Sequence, residues 1–342
     1  MPAANQMKAV ILAAGLGTRL WPLTEDRTKA ALPFLNRPLI AYSVEYLAQF
    51  GILDILVNLH HQPDSIRHAL GDGSSLGVKI TYSVEPEILG TSGALDVMRE
   101  HLADDDFLVI NGKIITNIDL AETIAEHRRQ NAIATLVLRE NSLHEHFSIV
   151  EVDERNWITR FAGFPDVAQT QAANAYASGE YAGSASTNAA VPLMFTGIQV
   201  LSPRIFEYIP RGCFSHSTIH VYPPAIAAEE AVIGHLSNRD WYEMSTIARY
   251  LEASLRLMQP ANGAVISGAN CVIDEKASVE RSVLWDNVTV EAGARVRDSV
   301  LAEGVRVPAG ALIDRSVVVG RDIVRQIERG EIVGDQLIVP IG

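Results

Sequence analysis

Residues 9–33 read AVILAAGLGTRLWPLTEDRTKAALP, an apolar run followed by a glycine turn and a polar loop. The run Ala9–Leu12 has the character of a buried strand. The turn at 13–19 places consecutive backbone N–H groups at the end of that strand, and Arg19 and Lys29 add two cations. Backbone N–H groups with nearby cations form a concave site for phosphates. The stretch therefore predicts a site for a nucleoside polyphosphate.

Segments with strand and helix character alternate through residues 7–160, which predicts a mainly parallel sheet covered on both faces. The predicted strands are Ala9–Leu12, Asp54–Asn58, Lys79–Ser83, Phe107–Ile110 and Ala134–Leu138, and the predicted helices are Leu39–Phe50, Pro63–Leu70, Thr91–His101 (with Thr91 as its N-cap) and Leu120–Asn131. Ligands in such sheets bind beyond the carboxyl ends of the strands. The glycine turn and the triplet Asn111-Gly112-Lys113 both follow strands, so we expect both at that edge.

The middle of the chain is less regular. Residues 148–161 predict a hairpin, and Phe195–Leu201 predicts a further strand. The segment Ala168–Ala190 is rich in Ala, Ser, Gly and Asn and predicts a long exposed loop. Trp241–Met258 predicts a short strand leading into a helix, which Pro260-Ala261-Asn262-Gly263 ends. This break predicts a boundary between one domain at 1–259 and a second at 260–342.

The second region contains an internal repeat. Ser282, Ser299 and Ser316 are seventeen residues apart, and a valine follows each of them. Other pairs match at the same spacing, namely Val288 with Val305, Val290 with Val307, Gly293 with Gly310, Ala294 with Ala311 and Val296 with Ile313. Apolar residues at every fifth or sixth position are typical of β-helix coils, which must stack to bury their inner faces. We expect three to four coils between residues 264 and 320, with a plain β-sandwich as the alternative.

The tail and the composition suggest how the chain meets other molecules. The strand-like segment Ile332–Ile341 predicts either a cap on the stack or an oligomer contact, and the β-helix edges favour a homo-oligomer. A net charge of −13 without a basic run argues against nucleic acid as a partner. No apolar run reaches the roughly 20 residues of a membrane span. Two distant cysteines, Cys213 and Cys271, and a short N-terminal segment without an apolar core favour a cytoplasmic location.

The chain resembles the sugar-1-phosphate nucleotidyltransferases, and most of all the mannose-1-phosphate guanylyltransferase-like members with a C-terminal left-handed β-helix. The resemblance covers nearly all of residues 7–320. Its motifs are AAGLGTRLWPLT from Ala13, TKAALPFLNRPLI from Thr28, EPEILGTSGAL from Glu85, MFTGIQVLSP from Met194 and the segment Trp241–Leu255. It implies a Rossmann-like mixed sheet at 1–259 and a left-handed β-helix of the hexapeptide type, with its tail, at 260–342.

The resemblance also implies a reaction and roles for single residues. A sugar-1-phosphate oxygen attacks the α-phosphate of a nucleoside triphosphate, and pyrophosphate leaves. Arg19 and Lys29 are the implied catalytic cations, acting on the β/γ-phosphates and on the α-phosphate respectively. The implied nucleotide-binding residues are Ala13, Gly15, Leu16, Gly17, Thr18, Glu85, Gly90, Thr91, Gly93 and Asn111, and the implied sugar-binding residues are Thr196 and Gly197. Nucleoside triphosphate and sugar 1-phosphate are thus the expected partners.

Three positions depart from the family pattern, and they concern the expected Mg²⁺ cofactor and the sugar phosphate. The family has an aspartate metal ligand where this chain has Lys113, and a second aspartate where it has Glu243. The family has a lysine that binds the sugar phosphate. The corresponding segment of this chain, Ala162-Gly163-Phe164-Pro165, contains no cation. The resemblance therefore leaves Glu243 as a doubtful metal ligand. We hypothesise that the Lys113 ammonium pairs with Glu243 near the usual metal position and excludes the ion.

Two functions stay open at this stage. The first is an active transferase with an unusual or weakened metal site, which Arg19 and Lys29 favour. The second is a catalytically impaired paralogue that binds nucleotide or nucleotide-sugar in a regulatory or scaffolding role, which Lys113 and Phe164 favour.

Overall fold

The computed structural model describes residues 7–163, 191–258 and 265–342. The predicted loop Ala168–Ala190, the predicted break at 260–263 and Phe164 lie outside these ranges. The strands of the first region are β1 Lys8–Leu12, β2 Pro33–Phe34, β3 Arg37–Pro38, β4 Asp54–Leu59, β5 Lys79–Val84, β6 Phe107–Asn111, β7 Ile114–Thr116, β8 Ala134–Glu140, β9 Ile149–Val152, β10 Ile158–Phe161, β11 Leu193–Leu201, β12 Val232–Leu236 and β13 Trp241–Glu243.

The helices carry apolar faces, most of which pack against this sheet region, whereas the last helix packs against the region that follows it. They are α1 Leu39–Gln49, α2 Pro63–Leu70, α3 Gly90–Val97, α4 Arg99–Leu102, α5 Leu120–Arg129, α6 Tyr222–Ala227 and α7 Ile247–Met258. Short 3₁₀ turns occupy Thr18–Leu20, Lys29–Ala31, Ser74–Leu76, Pro203–Glu207 and Arg321–Ile323, and a π-helical turn spans Ser217–Val221. The predicted positions of the elements in residues 7–140 are confirmed to within a few residues, except that one predicted helix is divided into α3 and α4.

The main sheet is mixed. Its order runs β10-β9-β11-β6-β1-β4-β5, with β8 beside β11 and β12 beside β8. Strands β1, β4, β5 and β6 are parallel, whereas β11 runs antiparallel to β6, β8 and β9. The expectation of a mainly parallel arrangement is confirmed for the predicted strands, because β1, β4, β5, β6 and β8 all run in one direction, while β10 and β11 run the other way. The mixed sheet implied by the resemblance is confirmed.

The prediction that Thr91 caps a helix was wrong. Helix α3 begins at Gly90, and its N-cap residue Leu89 makes no side-chain capping bond. The Thr91 hydroxyl instead accepts a hydrogen bond from the Ser217 N–H at 3.0 Å. A threonine hydroxyl that is hydrogen-bonded to a distant segment cannot also cap its own helix. The local sequence does not show that such a distant partner exists.

The second region is a parallel β-helix whose coils follow the 17-residue repeat. Its strands are β14 Val265–Ser267, β15 Val272–Ile273, β16 Ser278–Glu280, β17 Ser282–Leu284, β18 Thr289–Val290, β19 Arg295–Arg297, β20 Val300–Leu301, β21 Arg306–Val307, β22 Leu312–Asp314, β23 Ser316–Gly320, β24 Glu331–Val333 and β25 Gln336–Pro340. They form three faces, β14-β17-β20-β23, β15-β18-β21 and β16-β19-β22. The predicted fold class, a mixed-sheet domain followed by a left-handed β-helix, is confirmed.

The repeated serines form a ladder through the coils. Ser299 N–H donates to the Ser282 hydroxyl and Ser316 N–H to the Ser299 hydroxyl, each at 3.1 Å. These hydroxyls are buried, so the bonds satisfy polar groups that would otherwise destabilise the stack. At the far end β25 pairs antiparallel with β23, which confirms that the tail caps the stack. The predicted oligomer contact stays a prediction.

One hydrophobic cluster joins the β-helix to the loop between the glycine turn and α1. It contains Leu20, Trp21, Leu32 and Phe34 together with Tyr250 and the inner residues of the coils. The Tyr250 hydroxyl donates to the Pro33 carbonyl and accepts from the Trp285 indole N–H at 3.0 Å. The loop that carries Lys29 is therefore packed directly on the β-helix.

Candidate functional site

A cavity of about 230 Å³ lies at the carboxyl edge of the parallel strands. Leu12 at the end of β1 is level with Asn58 of β4 and Asn111 of β6. The Asn58 side-chain oxygen accepts from Ala13 N–H at 2.6 Å, and Gly112 N–H donates to the Leu12 carbonyl at 2.9 Å. These bonds hold the first residues of the loops after β1 and β6 at the same edge of the sheet. The cavity is lined by Leu12, Ala13, Ala14, Gly15, Lys29, Ala30, Asn58, Glu85, Ile88, Gly90, Thr91, Asn111, Gly112, Lys113 and His216.

The glycine turn leaves the cavity floor and folds back towards Lys29. Gly15 and Leu16 are exposed. Gly17 has φ +70°, and a Cβ there would lie 3.1 Å from Thr24 Cγ2 and 3.3 Å from Lys29 Cβ. Left-handed backbone in such a tight space requires glycine. The turn thus keeps its backbone close to the Lys29 side chain, while Thr18 and Arg19 follow on the exposed 3₁₀ turn.

Lys29 enters the cavity from the second 3₁₀ turn. Burial lowers the pKa of its ammonium to about 8, and the nearby Lys113 and Arg19 add to the lowering, although Glu243 opposes it. A cation that is destabilised in this way gains stability when an anion binds beside it. Of the two predicted catalytic cations, Lys29 lines the cavity, whereas Arg19 lies on the exposed turn outside the lining and affects Lys29 through its charge.

Lys113 and Glu243 are brought together by the antiparallel pair β7 and β13. Glu243 is level with Ile114, and Met244 N–H donates to the Lys113 carbonyl at 3.0 Å. The Lys113 ammonium donates to Glu243 Oε1, which confirms the predicted pairing. The Glu243 side chain is only 3% exposed, and its Oε2 is buried without a hydrogen-bond donor.

This environment does not fit a magnesium site. Mg²⁺ prefers several oxygen ligands in octahedral geometry. Here the position of the first expected carboxylate ligand is occupied by Lys113, whose ammonium donates a hydrogen bond to one Glu243 oxygen. A second cation, Arg249, lies 3.8 Å from the other oxygen. Within the described residues, His, Cys, Asp and Glu side chains form no group of three or more that suits a metal ion.

The opposite end of the cavity is built around Glu85. Its Oε1 accepts from the Asn58 side chain at 2.7 Å, and its Oε2 accepts from Leu89 N–H at 3.0 Å. The buried carboxylate thus braces the loop that leads into α3. Glu85 lines the cavity, but both of its carboxylate oxygens already accept hydrogen bonds, one from Asn58 of β4 and one from this loop.

Gly90 and Gly93 allow a distant segment to close over this end. A Cβ on Gly90 would lie 2.4 Å from the Ser215 carbonyl oxygen, and one on Gly93 would lie 2.7 Å from that of Cys213. The same segment places His216 at the cavity wall, where its Nδ1 is 3.4 Å from Thr91 N. Burial and then the nearby His220 lower the pKa of His216, which favours its neutral form.

The residues predicted to face the sugar lie behind the cavity wall. The Thr196 hydroxyl donates to the Val137 carbonyl at 2.8 Å, and its own carbonyl accepts from the Trp241 indole at 3.0 Å. Gly197 has φ +85°, and a Cβ there would lie 2.2 Å from Asn111 Nδ2. Gly197 therefore makes room for Asn111 at the wall. The sugar-binding roles of Thr196 and Gly197 stay predictions.

Sequence reasoning missed His216 and Arg249. Each reaches the site through contacts between segments more than 100 residues apart, His216 with Thr91 and Arg249 with Glu145. The two glycines at 90 and 93 hint at close backbone approach, but they do not identify the approaching segment.

Comparisons with known proteins agree with this geometry. The nucleotidyl transferase family model matches residues 8–259, and the GlmU-like C-terminal hexapeptide model matches residues 248–337. Among curated relatives, probable mannose-1-phosphate guanylyltransferase 1 of Oryza sativa subsp. japonica is 30% identical over 81% of this chain and 74% of its own length. The UTP–glucose-1-phosphate uridylyltransferase of Synechocystis sp. is 27% identical over 83% of this chain and 72% of its own.

Two further matches extend these comparisons. The mannose-1-phosphate guanylyltransferase of Mycobacterium tuberculosis is 28% identical over 85% of this chain and 83% of its own length. A crystal structure from Bacillus anthracis, assigned as a glucose-1-phosphate thymidylyltransferase in complex with a sucrose, superposes with a TM-score of 0.58 at 22% identity, over 75% of this chain and 97% of that one. The last likeness concerns the fold alone.

A mixed sheet with a glycine turn and paired cations at its carboxyl edge defines a protein of the nucleotide-binding α/β class. The family match covers well over half of the residues, and the chain belongs to the nucleotidyl transferase family. Among the described residues, none of the helices combines the length and hydropathy of a bilayer-spanning segment.

Proposed function

We propose that this chain transfers a nucleoside monophosphate from a nucleoside triphosphate to a sugar 1-phosphate. The observation that carries the proposal is the convergence of the glycine turn, Lys29 and Lys113 on one cavity. The named activities of the curated relatives, guanylyl transfer to mannose 1-phosphate and uridylyl transfer to glucose 1-phosphate, support the same reaction class. They also favour a transferase over a paralogue that only binds.

The chemistry joins two anions, so the site must offset their repulsion and hold them in line. An oxygen of the sugar 1-phosphate bonds to the α-phosphorus. The bond from that phosphorus to the oxygen bridging the β-phosphate breaks, and pyrophosphate leaves with the electron pair. In our proposal the backbone at 15–18 binds the phosphates, Arg19 stabilises the departing pyrophosphate, and Lys29 stabilises the α-phosphate. Residues 1–259 perform this reaction, and residues 260–342 support their loop.

We further propose that Lys113, paired with Glu243, takes the place of a protein-held magnesium ion. An ammonium can neutralise a phosphate as a point charge, although it cannot bridge two oxygens as a metal does. We also propose that the protein works in the cytoplasm. The free thiols of Cys213 and Cys271 support this location, because a reducing compartment keeps thiols unpaired.

The direct test is turnover. Purified protein is incubated with each nucleoside triphosphate and a panel of sugar 1-phosphates, beginning with GTP plus mannose 1-phosphate and UTP plus glucose 1-phosphate, in Mg²⁺ or Mn²⁺. Pyrophosphate release and a new nucleotide-sugar are expected for at least one pair. Binding of a nucleotide-sugar without turnover of any pair would reject the transferase and leave the binding paralogue.

The magnesium proposal has a separate test on nucleotide-free protein. Lys113→Asp restores a carboxylate beside Glu243, so Mg²⁺ should raise its Tm by a few degrees through binding to the folded state. The wild type and the control Lys113→Gln should show no such rise. A wild-type Tm that responds to Mg²⁺ as strongly as Lys113→Asp would disprove the replacement.

A further inference from the structure

Arg249 is a cation that the transfer chemistry described above does not yet use. It lies in the first turn of α7, where its N–H donates to the Thr246 hydroxyl at 3.3 Å. Its guanidinium donates to Glu145, and its Nη1 is 3.8 Å from Glu243 Oε2. The Arg249 side chain is 26% exposed, so it is mostly enclosed yet open on one side.

The surroundings of Arg249 hold its guanidinium in place. The guanidinium carbon lies 5.1 Å from the centre of the Phe147 ring, and that ring packs edge-on against Trp241. Glu145 is itself fixed by Asn141, whose side chain exchanges two hydrogen bonds of 2.8 Å with the Glu145 backbone. A guanidinium held by an aromatic face and a carboxylate loses little freedom when it binds a ligand.

Positive charge exceeds negative charge around this position. Arg19, Lys29, Lys113 and Arg249 interact with one another or with Glu243, and the opposing carboxylates are Glu243, Glu145 and the exposed Glu252. Burial lowers the pKa of Arg249, and the Arg19 and Arg139 charges add to the lowering, although Glu252 opposes it. Among the groups that are at least partly buried, three cations (Lys29, Lys113 and Arg249) lie near two carboxylates (Glu243 and Glu145). This local excess of positive charge in a chain of net charge −13 favours an anion.

Two of these cations belong to the nucleotide cavity. Lys29 and Lys113 line it, and Lys113 contacts Glu243 Oε1, while Arg249 approaches Oε2 of the same carboxylate. The nucleotide phosphates and a ligand at Arg249 would therefore be neighbours across Glu243. A guanidinium can bind a phosphate through two parallel hydrogen bonds.

We propose that Arg249 binds the phosphate of the acceptor sugar 1-phosphate, on the Oε2 side of Glu243. This inference rests on the proposed transferase function. It makes Arg249 the residue that positions the attacking phosphate oxygen beside the cations that hold the triphosphate.

The test separates acceptor binding from nucleotide binding. Kd values for mannose 1-phosphate, glucose 1-phosphate, GTP and UTP are measured by calorimetry for the wild type, Arg249→Gln and Arg249→Lys, and KM is measured for any pair that turns over. Arg249→Gln should weaken sugar 1-phosphate binding by about 10- to 100-fold, since hydrogen bonds to charged groups contribute about 1.5–3 kcal/mol. Nucleotide Kd should change by less than about 3-fold, and Arg249→Lys should restore part of the loss.

Arg256→Gln is the matched control. Arg256 lies on the same helix, is exposed and packs over the Tyr242 ring at 5.7 Å, so its removal should leave both affinities unchanged. Glu145→Gln should weaken acceptor binding less than Arg249→Gln, because the cation remains and only its anchor is lost. A purely structural role for Arg249 would instead lower Tm and weaken both ligands equally.

The outcomes distinguish this inference from the proposed function. Turnover by the wild type with an unchanged acceptor KM in Arg249→Gln would overturn the Arg249 assignment alone. Acceptor binding that depends on Arg249 without any turnover would reject the transferase and keep the phosphate site. Failure of the wild type to bind or turn over any sugar 1-phosphate of the panel, with or without nucleotide, would overturn both.

Discussion

The two ends of the cavity are built by different means. At the end formed by Glu85, Gly90 and Gly93, backbone atoms pack closely, the carboxylate accepts from Asn58 and Leu89, and burial lowers the pKa of His216. At the other end, Lys29, Lys113 and their neighbours are charged side chains that stabilise or destabilise one another. We propose that the first end binds the uncharged base and the second binds the phosphates, so that shape controls recognition at one end and charge at the other.

The strongest test of the comparison is Lys29→Gln, which removes charge from the phosphate end and nearly preserves the length of the side chain. We expect kcat to fall by about 100- to 1,000-fold, the usual cost of losing a preorganised group that stabilises transition-state charge. Steady-state pyrophosphate release measures it. Lys29→Arg keeps the charge and should lose less. Equal losses in the two variants would mean that shape, and not charge, matters at Lys29.

A change of pH tests the same end more gently. The Lys29 ammonium has a pKa of about 8, lowered from 10.5, so in the free protein it loses its proton as the pH rises through 8. Triphosphate binds the protonated form better, and affinity should fall roughly 4-fold between pH 7 and 8.5. Lys29→Arg stays charged over this range, and its affinity should be nearly constant. Parallel curves for the two proteins would assign the pH dependence to another group.

A much smaller effect than that of Lys29→Gln is expected at the uncharged end. His216→Ala removes a neutral ring beside Thr91, so nucleotide Kd should rise by about 2- to 10-fold, the range of a neutral hydrogen bond. Fluorescence titration with GTP and UTP would show whether the loss differs between bases. His68→Ala, an exposed histidine on α2, is the control. A larger loss than that of Lys29→Gln would reverse the proposed division of roles.

The sequence predicted the phosphate end better than the rest of the site. Gly17 and Lys29 are identifiable because a left-handed turn in a tight space restricts the residue type over a short stretch of chain. The pairing of Lys113 with Glu243 was also predictable, because both residues stand at motif positions. Arg249 and His216 were missed, since their places depend on Glu145 and Thr91, which lie far away in sequence.

The fold divides in the same way. The 17-residue period of the β-helix is a local repeat, so its register was predictable from spacing. The position of the antiparallel β11 beside β6 and β8 depends on a long-range pairing choice that no local pattern contains. Thr91 shows the same dependence on long-range contacts for a single side chain. Its hydroxyl was expected to cap a helix, but it accepts from the distant Ser217 N–H instead.

The Trp285 indole, the Tyr250 hydroxyl and the Pro33 carbonyl link a β-helix coil to the strand just after the loop that carries Lys29. Elements that share one buried cluster tend to open together as a cooperative unit. Heat or proteolysis that damages the coils should therefore abolish nucleotide binding at the same step, although none of the described coil residues lines the cavity. The β-helix thus determines how long the phosphate site survives under stress.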